Sequence, residues 1–336
     1  MVEESDMSAV VRILPSGHQF VVEVNEPLLQ AALRSGVALE FGCANGTCGE
    51  CKARVKEGEV RQIRFYDYVM SEAERREHTV LLCSCTADAD VTIEATEAGG
   101  PDDIPLQNVR ARLYKREHPA EAVEIVYLRV MRGRMLRFLA GQRVSLRLGG
   151  MEPTDMPIAS CPCDGSNLEL HFDLSNSGGL NARALAGFAK SDRFEIEGPR
   201  GRFTLDESSG RPLVFIACDT AIAPSKSIIE HAINLDYSQP IYLHWHTNQR
   251  DGPYLHNYFR SLTDALDGFH YLPIRGPVSA DTLNALPDLA TVDVYLTGGE
   301  EFVAAAREML FARGLSEGHL FIDAFNERPS SAPIAD

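Results

Sequence analysis

The spacing of apolar residues changes twice along the chain. Up to residue 97, short alternating runs predict strands at Ala9-Val-Val-Arg-Ile-Leu14, Gln19-Phe-Val-Val-Glu-Val24, Cys51-Lys-Ala-Arg-Val55 and Asp90-Val-Thr-Ile-Glu94. Gly17 predicts a hairpin between the first two. Pro27 to Arg34 has helical spacing, with Pro at a first-turn position and Gly36 beyond the end. Ser71-Glu-Ala-Glu74 is a helix-start signature. A small α+β domain follows from this pattern. Glu97 to Pro105, rich in Gly, Pro and Asp, reads as a linker.

Residues 105–206 hold strand patterns at 123–130, 143–148, 168–174 and 193–197, separated by Gly-rich turns, and predict an antiparallel β-barrel. A second break, Asp206 to Pro212, precedes strand–helix alternation. Leu213–Ala217, Ile241–Trp245 and Val292–Leu296 read as strands, Pro224–Asn234 and Glu301–Arg313 as helices. That alternation predicts an α/β doubly wound parallel sheet over 207–336. The chain is therefore multidomain: 1–97, 105–206 and 207–336.

Charge sharpens this division. The formal net charge is −16, distributed as −8 over 1–100, +1 over 101–206 and −9 over 207–336. Acidic ends repel phosphate and speak against nucleic-acid binding. They suit either solubility or docking to a basic protein partner. No apolar run reaches the roughly 18 residues of a membrane span. The acidic N-terminus lacks a basic n-region and an apolar h-region, so a cytoplasmic location is expected.

Five of the eight cysteines fall before residue 86. Cys43, Cys48 and Cys51 form a C-x4-C-x2-C run, and Cys83 follows in Val-Leu-Leu-Cys-Ser-Cys. This is plant-type [2Fe–2S] spacing. Gly42, Gly46 and Gly49 let such a loop turn its N–H groups toward sulfur. Zinc sites usually carry two C-x2–4-C pairs, and only one stands here. Cys83 and Cys85 both qualify as the fourth ligand by spacing, since residues i and i+2 of a strand share a face.

Gly42 to Lys52 and Val80 to Glu94 resemble the ferredoxin domain of plant and bacterial [2Fe–2S] ferredoxins. That resemblance places Cys83 in the fourth ligand position and implies a β-grasp fold. The later segments resemble the flavin and nicotinamide domains of ferredoxin–NADP reductases. The whole chain is similar to the reductase component of bacterial ring-hydroxylating and multicomponent oxygenases. The family passes a hydride from NAD(P)H to FAD, then single electrons to the cluster and on to an oxygenase or its ferredoxin.

Set in the family register, the cofactor contacts depart from the pattern. Ile158-Ala159-Ser160 is kept. The preceding Arg-x-aromatic-Ser of the family, which serves FAD, is replaced by Thr154, Asp155, Met156 and Pro157. The second flavin element reads Gly179-Leu-Asn-Ala182, without its hydroxyl. The nicotinamide loop reads Cys218-Asp-Thr220-Ala-Ile-Ala-Pro224, with every family glycine replaced, and the later Cys-Gly-Pro reads Thr297-Gly298-Gly299. The resemblance thus implies Met156, Ile158, Ser160, Gly179, Ala182, Thr220 and Gly298 at FAD- and NAD(P)H-facing positions, with weakened phosphate binding. Three readings follow: an NAD(P)H-driven reductase, a cluster-bearing carrier with weak flavin and nicotinamide sites, and a scaffold or redox-sensing protein. Three further features read as structural: His244-Trp-His246, Cys161-Pro-Cys163, and the arginines at 129, 132, 134 and 137.

Overall fold

The computed structural model describes residues 8–131, 135–148, 152–164, 167–175, 185, 193–250 and 252–325. Gly179, Ala182, Arg132 and Arg134 lie outside the described residues.

The N-terminal part builds one five-stranded mixed sheet. β1 (Ala9–Leu14) and β2 (Gln19–Val22) make the expected hairpin. α1 (Leu28–Arg34) buries Leu28, Leu29, Ala31, Ala32 and Leu33 against the inward residues Val11, Ile13, Phe20 and Val22. Pro27 stands one position earlier than the sequence suggests. It is the N-cap, with extended backbone, where its missing N–H costs nothing. β3 (Lys52–Glu57), β4 (Arg61–Gln62), α2 (Glu72–Arg76), β5 (Thr79–Leu81), β6 (Cys85–Thr86) and β7 (Val91–Glu94) follow. Ser71 and Glu74 close the capping box on α2. The sheet order is β2-β1-β7-β3-β5, and β1 runs parallel to β7. This is the ferredoxin-type β-grasp.

The middle part is a six-stranded antiparallel sheet of β8 (Gln107–Ala120), β9 (Val123–Val130), β10 (Arg143–Leu148), β11 (Thr154–Pro157), β12 (Asn167–Asp173) and β13 (Arg193–Arg200). Its order is β11-β10-β13-β8-β9-β12, and the edge strands β11 and β12 approach one another, nearly closing a barrel. Two of these strands were not expected. β8 alternates buried Val109, Ala111 and Leu113 with outward Arg110 and Arg112, so its polar face hides the pattern. β11 is held in place by pairing to β10.

The last part is an all-parallel sheet. β14 (Leu213–Cys218), α3 (Ile222–Asn234), β15 (Ile241–Thr247), α4 (His256–Ala265), β16 (Phe269–Arg275), α5 (Ala280–Leu283), β17 (Asp293–Gly299), α6 (Glu300–Ala312) and β18 (Leu320–Phe325) give the order β16-β15-β14-β17-β18. The winding reverses between β14 and β17, which puts a ligand crevice at their carboxyl ends. Separate apolar cores lie on the two faces, one around Phe215 and Trp245, the other around Ile216 and Leu296.

A buried ion cluster joins the barrel to the parallel sheet. Lys226 on α3 lies 3.1 Å from Glu169 of β12 and 2.8 Å from Glu230. Glu169 also accepts from His171 at 2.7 Å, and the other nitrogen of His171 meets the Tyr254 hydroxyl at 2.6 Å. Desolvation alone would raise the Glu169 pKa. The His171 and Lys226 contacts outweigh it and hold the carboxyl at about 2. Every charge is partnered, as burial requires.

Candidate functional site

The cysteine loop is assembled by three neighbours. It leaves the β-grasp core after Phe41 and re-enters at Cys51, the residue before β3. Gly46 and Gly49 sit at φ 83° and 76°, the left-handed region that glycine adopts without strain. A Cβ on Gly46 would lie 2.4 Å from the Tyr66 Cβ, and one on Gly49 2.2 Å from the Tyr68 ring. The 63–70 segment thus lies directly across the loop, tied by the Tyr68 N–H to the Gly46 carbonyl at 3.0 Å.

Inside this cradle the thiols form two pairs. The Thr47 and Cys48 N–H groups donate to the Cys43 sulfur at 3.3 Å each, and the Cys43 and Glu50 N–H groups donate to the Cys48 sulfur at 3.4 Å each. Cys51 and Cys83, both buried, form the second pair, each thiol in the other's electrostatic reach. Burial raises the Cys43 thiol, but the Thr47, Asn45 and Cys48 donors bring it down to about 7. The Cys51 contact, with Ser84 and the Gly46 backbone, brings Cys83 to about 6 against the effect of burial. Cys83 sits in a turn, not a strand, so it and Cys85 do not share a setting. Cys85 begins β6 within the apolar core, and burial pushes its thiol up to about 11.

Among the described residues, no three His, Cys, Asp or Glu side chains gather as one ion would require. A binuclear cluster asks for something else: two thiolates on each iron, four in all. The two pairs and their N–H donors fit that demand, since donors to sulfur stabilise an anionic centre.

The flavin-type positions are occupied differently. Met156 is 2% exposed and Ile158 is fully buried, both within the barrel core. The Ser160 hydroxyl accepts from the Glu169 N–H at 3.2 Å and donates to the Asn167 carbonyl at 3.3 Å, which fixes the approach to β12. Asp155 points outward and accepts from Arg143 Nε at 3.1 Å. Arg143 Nη1 also reaches both carboxylate oxygens of Asp323, at 2.9 and 3.0 Å, and the guanidinium stacks on Phe325. Arg143 and Asp323 border a cleft of about 150 Å³, shared by the barrel and β18 and lined also by Arg202, Phe203 and Phe321. Both of its arginines are already paired with carboxylates: Arg143 with Asp155 and Asp323, and Arg202 with Asp102 at 2.9 Å. The described donor set therefore does not fit a doubly negative FAD pyrophosphate in this cleft.

The nicotinamide-type loop is likewise filled. Asp219 adopts φ 49°, left-handed backbone where glycine would be unstrained. Its carboxylate accepts from the Thr247 hydroxyl at 2.8 Å and the Asn248 N–H at 3.2 Å, and its carbonyl from Trp245 Nε1 at 3.0 Å. Thr220 lies in the 3-10 turn that leads into α3. Gly298 lies against Phe302, whose ring would be 2.6 Å from a Cβ there. The Phe302 ring in turn contacts buried His246 at 5.2 Å. His246 Nδ1 meets the Gly276 carbonyl at 3.0 Å, a structural role. A phosphate entering this loop would meet the Asp219 charge. Sequence reasoning missed the bonds from Asp219 to β15. The Thr247-Asn248 pair at the end of β15 was the available signal.

The fold and the cysteine loop define an iron–sulfur electron-transfer protein with a ferredoxin-reductase-type module. Residues 11–88 match the 2Fe-2S iron-sulfur cluster binding domain family. The chain is 30% identical over 336 residues to the phenol 2-monooxygenase reductase component DmpP of Pseudomonas sp. (strain CF600), covering 95% of each chain. It is 28% identical to the CDP-6-deoxy-L-threo-D-glycero-4-hexulose-3-dehydrase reductase of Yersinia pseudotuberculosis, covering 95% of this chain and 99% of that one. The solved Amycolatopsis cytochrome P450 reductase GcoB matches 94% of this chain and 98% of its own, with TM-score 0.60 and 25% identity. The chain belongs to the family of [2Fe–2S] reductase components that includes these relatives. None of its described helices is long and apolar enough to cross a membrane.

Proposed function

We propose that the chain passes electrons one at a time, through a cluster held by Cys43, Cys48, Cys51 and Cys83, to a protein acceptor of the oxygenase type. The observation that carries this reading is the pair-wise convergence of thiols beneath backbone N–H donors at an exposed rim. When bound, the cluster supplies a one-electron store. The protein's own part is to hold four thiolates, exclude water on the Cys51–Cys83 side, and present the Cys48 side to a partner. Cys48 is exposed, and beside the loop Phe65 and Val69 are 83% and 81% exposed. An apolar tip within an acidic part suits a partner with a basic rim. We place the protein in a reducing cytoplasm, where the cysteines outside the cluster, Cys85, Cys161, Cys163 and Cys218, rest as thiols.

A second reading is favoured by Asp155 and Asp219: the cluster draws its electrons from an outside donor because dinucleotides bind weakly. A stopped-flow experiment tests both. Holoprotein reduced with dithionite and desalted anaerobically should deliver one electron per chain to cytochrome c, more slowly as salt rises. No transfer would overturn the first reading. Rapid, continuous cytochrome c reduction driven by NADH or NADPH with added FAD would overturn the second.

A further inference from the structure

The fold brings together two cysteines that lie far from the cluster loop. Cys161 precedes the 3-10 turn Pro162–Asp164, and Cys163 lies within it. Asn234, the last residue of α3, donates its side-chain amide to both sulfurs, at 3.3 Å to Cys161 and 3.2 Å to Cys163. The Cys163 N–H donates to the Cys161 sulfur at 3.3 Å. Cys161 is buried and Cys163 partly exposed. A disulfide needs Cα atoms about 4.4–6.8 Å apart. Two trans peptide links of about 3.8 Å, bent at one residue, fall within that span.

We propose that Cys161 and Cys163 form a reversible disulfide, a redox-modification site separate from the cluster cysteines. The partly exposed Cys163 thiolate attacks a small-molecule disulfide, forms a mixed disulfide and expels one thiol. Cys161 then attacks the Cys163 sulfur and expels the second thiol. The cysteine pair loses two electrons and two protons, and the small disulfide gains them as two thiols. The Asn234 donors steady the thiolate in each step. The ring closed by C-x-C is small, and strained disulfides are the readily reduced, regulatory kind.

The location gives the modification a consequence. The turn packs against both α1 and α3. Cys163 shares a small cavity with Leu33, Phe41, Leu136 and His231. Phe41 enters the cysteine loop two positions before Cys43. Drawing Cys163 toward Cys161 therefore reshapes the wall on which the ferredoxin part rests.

The test incubates holoprotein with glutathione disulfide against reduced glutathione at graded ratios, quenches with iodoacetamide and digests with trypsin. The tryptic peptide Leu148–Arg183 contains these two cysteines and no others. It should become two hydrogens lighter and carry no alkyl group, then return to the doubly alkylated form when reduced glutathione is restored. Cys161→Ser should stop at a stable glutathione adduct on Cys163, and Asn234→Leu should slow closure by about tenfold. A peptide that stays doubly alkylated at every ratio overturns the proposal. So does one that halts at the glutathione adduct in the unsubstituted protein.

Discussion

At the residue scale, two neighbours with the same side chain meet different surroundings. Both are buried in the β-grasp core, but Cys83 is drawn toward Cys51 and the Gly46 N–H, while burial and the neighbouring Cys83 push the Cys85 thiol up. Cys83→Ser should abolish or strongly change the cluster's visible spectrum. Cys85→Ser should leave it nearly unchanged, and the reverse pattern would make Cys85 the ligand. A pH effect belongs to the same scale. Burial, aided by nearby His246, holds the His244 pKa at about 4 against 6.5 for a free histidine. The unfolded chain therefore binds the extra proton first as pH falls from 6.5 to 4. Stability should drop across that window by about 3 kcal/mol from this residue. Denaturant titrations at several pH values should show His244→Leu flattening the drop.

At the element scale, legibility followed whether an element's reasons were local. The β1–β2 hairpin, the α2 capping box and the cysteine loop carry their signals within a few residues, and the structure has them where the sequence puts them. Pro27 was misjudged by one position because N-cap and first-turn prolines look alike without backbone angles. β8 and β11 went unread because they are defined by partners: β8 by a polar outer face, β11 by pairing with β10. The Lys226–Glu169–His171 cluster was hidden for the same reason, since its members are brought together only by the fold. The 63–70 segment's place across the cysteine loop also depends on the fold, and it makes a prediction. Gly46→Ala would force a Cβ into Tyr66 and strain a left-handed residue. It should lower cluster content several-fold, read as iron per chain, while far-ultraviolet circular dichroism stays near that of the unsubstituted protein.

At the scale of the whole molecule, three large sheets divide the labour, beside the small β4–β6 pair. The β-grasp holds the thiols, the barrel and parallel sheet are locked by a buried ion cluster, and acidic ends frame a near-neutral middle. We propose domain limits at 1–97, 105–206 and 207–336, and residues 1–97 expressed alone should fold and retain the cluster. An insoluble or iron-free fragment, despite iron and sulfide supply, would move the first limit. The proposed function stands on this chain storing one electron on a cluster bound by four thiolates. Its most direct test is electron paramagnetic resonance of the dithionite-reduced full chain, integrated against its iron and sulfide content. A spin-one-half signal of about one spin per two irons, with equal sulfide, is expected. Bound zinc, or iron without sulfide and without that signal, would contradict it.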